Sequence, residues 1–181
     1  MKKFTLIQKL RNKIRVKGTL NLDISKKAKL VGCSISSFGE NNTLVIDDEV
    51  VIRDTELEIL GDNCTLSISK NCVIGRDCYL SVKDGTKLSI GDNCMFSRNV
   101  KIMTSDGHPI YKDKTIINKS KNITIKNNVW LADNVTILKG VEVGEGSVVG
   151  INSTLTKSIA SNVIAVGNPA KAVKDSIVWV K

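Results

Sequence analysis

Apolar residues recur at fixed intervals along most of this chain. A Leu-x-Ile pair begins at Leu22, Leu44, Leu66 and Leu88, so the pair returns every 22 residues. A small or β-branched residue follows six positions after each of these leucines, and another apolar residue comes two positions later. In the second half, apolar residues follow one another every six positions, at Ile125, Leu131, Ile137, Val143, Val149 and Leu155. The chain is therefore built from a repeat.

A spacing of six residues fits neither a helix nor a simple alternating strand. It fits a coil with three short flat sides, each of which turns one aliphatic and one small residue inward. The longer coils carry four extra residues, which we place at corner turns such as residues 61–63 and 83–85, where Gly, Asn and Asp tolerate turn geometry. The pattern predicts an all-β, triangular parallel β-solenoid of about six or seven coils. The same register gives equivalent places to Ser34, Glu56, Cys78 and Val100.

The two ends of the chain depart from the repeat. Residues 1–17 carry Phe4, Ile7, Leu10 and Ile14 at helical spacing among basic residues, which predicts a short amphipathic helix. We expect this helix to cap the first coil of the solenoid (residues 18–160), and peripheral contact with an anionic membrane is the alternative. The tail, residues 161–181, ends in an apolar stretch that covers the last coil or packs on a neighbouring subunit.

Composition limits what the core contains. Hydrophobic residues make up 41% of the chain and aromatic residues only 4%, so the core must be aliphatic. The five cysteines (Cys33, Cys64, Cys72, Cys78 and Cys94) form no C-x-x-C pair, and we interpret them as core thiols rather than metal ligands. No apolar run approaches the length of a membrane span, and residues 1–17 lack the pattern of a secretory signal. These features predict a cytoplasmic protein.

The charge favours anionic partners. Lys and Arg number 27 and Asp and Glu number 18, which gives a net charge of +9. The basic residues are scattered and the aromatic residues needed for base stacking are few, so we expect no nucleic-acid binding.

The repeat is interrupted by a loop over residues 103–122. This loop contains the chain's one histidine, His108, two residues after Asp106. A lone histidine is more often structural, but here a loop flanked by Gly107 and Pro109 presents it, and a nearby carboxylate is able to orient its ring. The same loop carries four lysines, which form either a solvated tip or a positive wall for an anionic substrate: Lys112, Lys114, Lys119 and Lys121.

Several motifs together resemble a known family. They are the hexads, the S-D-G-H-P-I loop, the N-V-W-L-A segment at 128–132, the glycine-rich run at 144–150 and the G-N-P-A-K segment at 167–171. In these the chain resembles the hexapeptide-repeat acyltransferases, and among them the sugar O-acetyltransferases of bacterial capsule, lipopolysaccharide and sialic-acid modification. The resemblance implies a left-handed parallel β-helix, a homotrimer with sites between subunits, acetyl-CoA as donor and a sugar hydroxyl as acceptor.

The resemblance also implies residue roles. His108 takes the place of the general base and Trp130 that of the tryptophan beside the thioester, while Asp106 is the residue that we expect to hold the imidazole tautomer. Trp130 and a set of residues in the later coils and the tail match the coenzyme A site: Ser147, Gly150, Ile151, Thr156, Lys157, Lys171 and Lys174. Many relatives have alanine where this chain has Ile151. The excess of lysine favours an acidic acceptor.

Three other functions come into question for a β-solenoid of this kind. A carbonic anhydrase of the β-helix type needs three histidines for its zinc ion, so the single histidine excludes it and no metal is expected. An N-acetyltransferase acting on an amino-sugar or an antibiotic stays open, as does a non-enzymatic β-solenoid scaffold.

Overall fold

The computed structural model describes residues 4–181, which wind into a triangular prism of parallel strands. One short helix, α1 (Leu6–Arg11), precedes the strands. Two long strands, β1 (Lys13–Ile24) and β3 (Ser34–Ile46), each bend across a corner and contribute to two faces. Each coil passes through three faces of the prism, numbered 1 to 3 in the order in which the chain follows them.

Face 1 holds the first halves of β1 and β3, followed by β5 (Glu56–Leu60), β8 (Tyr79–Lys83), β11 (Lys101–Met103), β16 (Thr136–Ile137) and β19 (Thr154–Leu155). Face 2 holds the second halves of β1 and β3, followed by β6 (Thr65–Ile68), β9 (Lys87–Ile90), β14 (Ile123–Ile125) and β17 (Glu142–Val143). Face 3 holds β2 (Lys29–Val31), β4 (Val51–Arg53), β7 (Val73–Ile74), β10 (Met95–Phe96), β15 (Trp130–Leu131), β18 (Val148–Val149), β20 (Ile164–Gly167) and the antiparallel β21 (Ala170–Lys174). A hairpin of β12 (Tyr111–Lys112) and β13 (Thr115–Ile116) stands apart from the faces.

The repeat seen in the sequence is the stacking register of the coils. Leu44, Leu66 and Leu88 lie directly above one another on face 2, and each is fully buried. Phe96 is the one aromatic side chain among the buried core residues of the described chain. The prediction of an all-β parallel solenoid with an aliphatic core is confirmed, as is the single protruding loop between β11 and β14.

One coil is a residue longer than the sequence register assumed. Glu56 pairs with Tyr79, which is 23 residues further on, instead of 22. The inward places are therefore occupied by Cys33 and Thr55, both buried, while Ser34 and Glu56 point outward. The equivalence of Ser34 and Glu56 with Cys78 is corrected by this insertion, since one residue reverses which face of a strand a side chain occupies.

All five cysteines are buried free thiols. This confirms their interpretation as compact core residues.

The N-terminal helix is shorter than the sequence predicted. Residues 1–3 lie outside the described part, α1 ends at Arg11, and residues 13–17 belong to β1. Pairing of β1 with β3 satisfies backbone groups that a longer helix would leave on the edge of the sheet.

Contacts with the first coil come from the flanks of the helix. Phe4 and Ile14 pack against the core, and the Asn12 side chain donates to the Leu30 carbonyl and accepts from the Cys33 amide. Leu6 and Leu10, by contrast, are more than 70% exposed. The apolar side of α1 is thus left open, and membrane contact through it stays a prediction.

Within residues 4–181, no helix has the length and apolar character required to cross a membrane.

Candidate active site

The loop that interrupts the repeat leaves the prism at the corner between faces 1 and 2. The Lys121 amide donates to the Thr104 carbonyl at 2.9 Å, which closes the base of the loop. His108 follows Gly107, whose φ of +88° lies in the region that favours glycine. The His108 side chain is exposed, so this loop presents an imidazole to solvent beside the prism.

Asn118 holds the histidine-bearing segment in place. Its amide nitrogen donates to the Asp106 carboxylate and to the His108 carbonyl, both at 2.9 Å. Its side-chain oxygen accepts from the Ile110 amide at 2.6 Å. One side chain therefore joins three points of the loop.

Asp106 anchors this network to the next coil. Its carboxylate forms an ion pair with Lys139, whose ammonium group also donates to the Asn118 carbonyl at 2.8 Å. The hydrogen bond from Lys139 lowers the pKa of Asp106, so the carboxylate stays ionised at neutral pH. Both contacts are made by Oδ2 of the carboxylate, which gives Asp106 a loop-ordering role. Its hold on the imidazole tautomer stays a prediction. Neither Asn118 nor Lys139 stands out in the sequence, because they lie 12 and 33 residues from Asp106 and only the fold brings them to it.

A cavity of about 160 Å³ lies on face 1 at the base of the loop. Its lining includes Tyr79, Ser81 and Lys83 of β8 on one side and residues 105–107 on the other. Beside it, the Glu58 carboxylate accepts from the Tyr79 hydroxyl at 2.5 Å and from the Ser81 hydroxyl at 2.8 Å. The hydroxyl groups of Tyr79 and Ser81, the Glu58 carboxylate and the Lys83 ammonium group thus lie near Gly107, the residue before His108.

Tyr79 provides a spectroscopic reporter of this cavity. Burial, with a further contribution from the Glu58 carboxylate, raises the pKa of Tyr79 to about 12. A raised pKa in the folded state means that this group's contribution to stability is present below the unfolded pKa of about 10 and is lost as the pH rises towards 12. In a pH-jump titration at the tyrosinate absorbance, we expect a phase near pH 12 that disappears in Tyr79→Phe.

A matched variant tests the stated cause. Glu58→Gln removes the negative charge and keeps the shape, so we expect it to move the same phase to lower pH. A phase that persists near pH 12 in Tyr79→Phe would contradict the assignment.

A larger cavity, of about 590 Å³, lies elsewhere, between Thr5 and Gln8 at one side and the first coils at the other. No residue that the sequence predicted for the site lines it.

Trp130 lies on face 3, which is the side of the triangle opposite the corner that carries the loop. Its indole N–H donates to the Ser97 hydroxyl at 3.2 Å. The ring also contacts Trp179, with 5.9 Å between ring centroids and 44° between ring planes. Two consequences follow: the indole donor is already used, and His108 and Trp130 do not share one side of the same chain.

The residues predicted for coenzyme A divide into two groups. Ser147 is fully buried, and its hydroxyl donates to the Ala160 carbonyl and accepts from the Val163 amide. Its side chain therefore fills the small inward place of the hexad, which leaves only its backbone to meet the pantetheine arm, and that contact stays a prediction. The other members are at least partly accessible on the last coils and the tail: Gly150, Ile151, Thr156, Lys157, Lys171 and Lys174.

Within the described part of the chain, no group of three or more His, Cys, Asp or Glu side chains is arranged to hold a metal ion.

Comparisons with known proteins match this geometry. Residues 122–157 match the family described as bacterial transferase hexapeptide (six repeats). The solved structure of the polySia-specific acetyltransferase NeuO is 34% identical over 94% of this chain and 89% of its own, with a TM-score of 0.74. That of the polysialic acid O-acetyltransferase OatWY is 30% identical over 93% of this chain and 91% of its own, with a TM-score of 0.76.

The match to curated relatives is more local. Galactoside O-acetyltransferase of Escherichia coli (strain K12) is 39% identical over 71 residues, which is 38% of this chain and 35% of that enzyme. The chain thus spans about a third of the length of that relative. The likeness to the two solved structures, in contrast, extends over more than nine tenths of this chain. The chain therefore belongs to the hexapeptide-repeat transferase family and folds as a left-handed parallel β-helix.

Proposed function

We propose that this protein transfers an acetyl group from acetyl-CoA to a hydroxyl group of an acidic glycan. The observation that carries the proposal is the loop that carries His108, whose preceding residue Gly107 lines the cavity on face 1. The similarity to two acetyltransferases of polysialic acid, an acidic polymer, supports both the reaction and the acceptor class.

In the proposed reaction, His108 acts as a general base. As the acceptor hydroxyl attacks the thioester carbonyl, the neutral imidazole takes up the hydroxyl proton and a C–O bond forms. The tetrahedral intermediate then collapses, the C–S bond breaks, and the imidazolium returns the proton to the leaving thiolate. The products are an acetyl ester and coenzyme A, and the histidine ends in its starting state.

The acceptor binds in the cavity on face 1. Tyr79 and Ser81 supply hydroxyl groups at its wall, and the cavity has the dimensions of about one sugar ring. Lys139 is neutralised by Asp106, whereas Lys83 forms no ion pair with any residue of the described chain. An unpaired ammonium group at the wall favours a carboxylated sugar.

The donor site requires a second copy of the chain. His108 and Trp130 lie on opposite sides of one prism, so a single chain cannot place both beside the same thioester. A closed threefold arrangement sets the loop corner of each chain against face 3 of the next and creates three equivalent sites. In this trimer the coenzyme A arm follows the late coils past Gly150, Ile151, Thr156 and Lys157, and its phosphates meet the exposed Lys171 and Lys174.

An acceptor panel tests the proposal. The purified protein is given acetyl-CoA with a sialylated oligosaccharide, a neutral oligosaccharide or glucosamine, and thiol release is followed together with the mass of the product. We expect the highest kcat/KM for the sialylated acceptor, and a fall in that value as salt screens the lysines.

The possible outcomes separate the parts of the proposal. A neutral acceptor preferred at both low and high salt would exclude the acidic substrate. A glucosamine product that resists mild alkaline hydroxylamine would indicate N-acetylation, because esters are cleaved and amides are not. Light scattering on the same sample tests the trimer, since a fully active monomer would contradict a site shared between chains.

A further inference from the structure

The last six residues of the chain, 176–181, form an extended segment that we name the C-terminal strap. It does not cover the last coil. It runs back along the outside of the prism at the corner between faces 2 and 3. Its course brings Trp179 to Trp130, two coil steps from the Asn162 corner where the strap begins, and carries Lys181 on to the Asn71 corner.

Three hydrogen bonds fix the strap to stacked corner residues. The Ile177 amide donates to the Asn162 carbonyl at 3.0 Å, the Trp179 indole to the Asn128 carbonyl at 2.7 Å, and the Lys181 ammonium group to the Asn71 carbonyl at 2.7 Å. The first and last of these corners, at Asn162 and Asn71, are four coil steps of about 4.8 Å apart. The extended residues 177–181 together with the lysine side chain cover this distance. The anchors thus match the geometry of the prism.

The two sides of the strap differ. Ile177 and Trp179 turn towards the prism and are half-buried, whereas Val178 and Val180 point away and are each 90% exposed. This alternation shows that the strap is extended along the corner, with every second side chain against the prism.

The strap immobilises Trp130 from one side. The Trp130 side chain lies in an outward row of face 3 that includes Val73, Met95 and Val148. Ser97 holds its indole N–H, and the tilted ring of Trp179 packs against its ring. An aromatic side chain held by a hydrogen bond at one edge and by a second ring has little freedom to change rotamer.

We infer that Trp179 is a positioning residue for the acetyl donor: it holds the Trp130 ring in the orientation against which the thioester arm packs. Trp179 does not itself touch the reacting atoms. The inference rests on the proposed function, in which Trp130 of one chain faces the loop of the next.

The test uses three variants of the full-length protein. Trp179→Ala removes the second ring, Trp179→Phe keeps an aromatic ring, and Val178→Ala changes an exposed strap residue as the matched control. We expect Trp179→Ala to raise the KM for acetyl-CoA about tenfold, to leave the acceptor KM unchanged, and to retain the melting temperature. Trp179→Phe should restore most of the affinity, and Val178→Ala should match the wild type.

A second readout does not depend on turnover. The chain contains only two tryptophans, so the near-UV circular dichroism of the Trp130–Trp179 pair is observed without other indoles. We expect Trp179→Ala to abolish the pair signal and weaken acetyl-CoA binding measured by calorimetry, while Val178→Ala preserves both. A wild-type protein that shows the pair signal but does not bind acetyl-CoA would contradict the proposed function, and the inference would fail with it. The pair signal would still confirm that the strap packs on Trp130.

Two results would overturn the inference itself. One is a Trp179→Ala variant whose KM for acetyl-CoA equals that of the wild type, and the other is a variant whose KM falls, which would make the strap an obstacle to the donor. Should Trp179→Ala fail to fold, Lys181→Met removes only the last anchor and is expected to raise the same KM by a smaller factor. An unchanged KM in that folded variant would count against the inference equally.

Discussion

We expect His108→Ala to lower kcat for acetyl transfer by about 10²–10⁴-fold, the usual contribution of a general base. The reason is that no other imidazole exists in the chain to accept the acceptor proton. The side chain is exposed on a loop outside the core, so the melting temperature and the affinity for coenzyme A should stay close to those of the wild type. Steady-state kinetics, thermal unfolding and calorimetry measure the three quantities.

The same measurements distinguish a structural histidine from a catalytic one. Unchanged turnover would remove His108 from the mechanism. A large fall in melting temperature together with lost activity would show that the residue supports the fold instead. Asp106→Asn offers a comparison, because it weakens the ion pair with Lys139 but leaves the imidazole in place, and a smaller loss of kcat is expected.

The second large effect is expected from Asn118→Ala, which should lower kcat by about 10–100-fold. Asn118 joins Asp106, His108 and Ile110 through one side chain, so its loss frees the histidine-bearing segment. Displacement of a catalytic group by about 1 Å is enough to cost about a hundredfold in rate. Steady-state kinetics should show this loss with little change in the KM for acetyl-CoA.

The control for Asn118 is Asn21→Ala, the same chemical change at an exposed position on β1. It should leave kcat unchanged. An Asn118→Ala enzyme with wild-type kcat would show that the hydrogen bonds of Asn118 do not position His108. The hydrogen bonds within the loop would then have no role in catalysis.

The spacing of apolar residues was enough to predict the solenoid, because each coil must bring the same kind of side chain inward at the same place. Leu44, Leu66 and Leu88 stack for this reason, and the period alone predicted it. The period did not reveal the single extra residue between Thr55 and Cys78. A corner that is one residue longer has the same kinds of residues as the other corners, so composition does not identify it.

The N-terminal segment shows how tertiary pairing overrides a local pattern. Helical spacing favoured a helix through residue 17, yet residues from Lys13 onward pair with β3. The edge of β3 offers backbone hydrogen bonds that an extended segment forms and a helix does not. The residues of the segment do not indicate that β3 lies beside them.

Residue types at fixed spacings were sufficient to predict the family, the faces of the prism, the position of the loop and the histidine that it carries. Which side chains meet became known from the folded chain alone. The fold joined Asp106 to Lys139 across 33 residues, turned Ser147 inward, and placed Trp179 on Trp130. It also set His108 and Trp130 on opposite sides of the prism. Such contacts depend on the stacking of whole coils, which brings distant residues together in a way that no local spacing encodes.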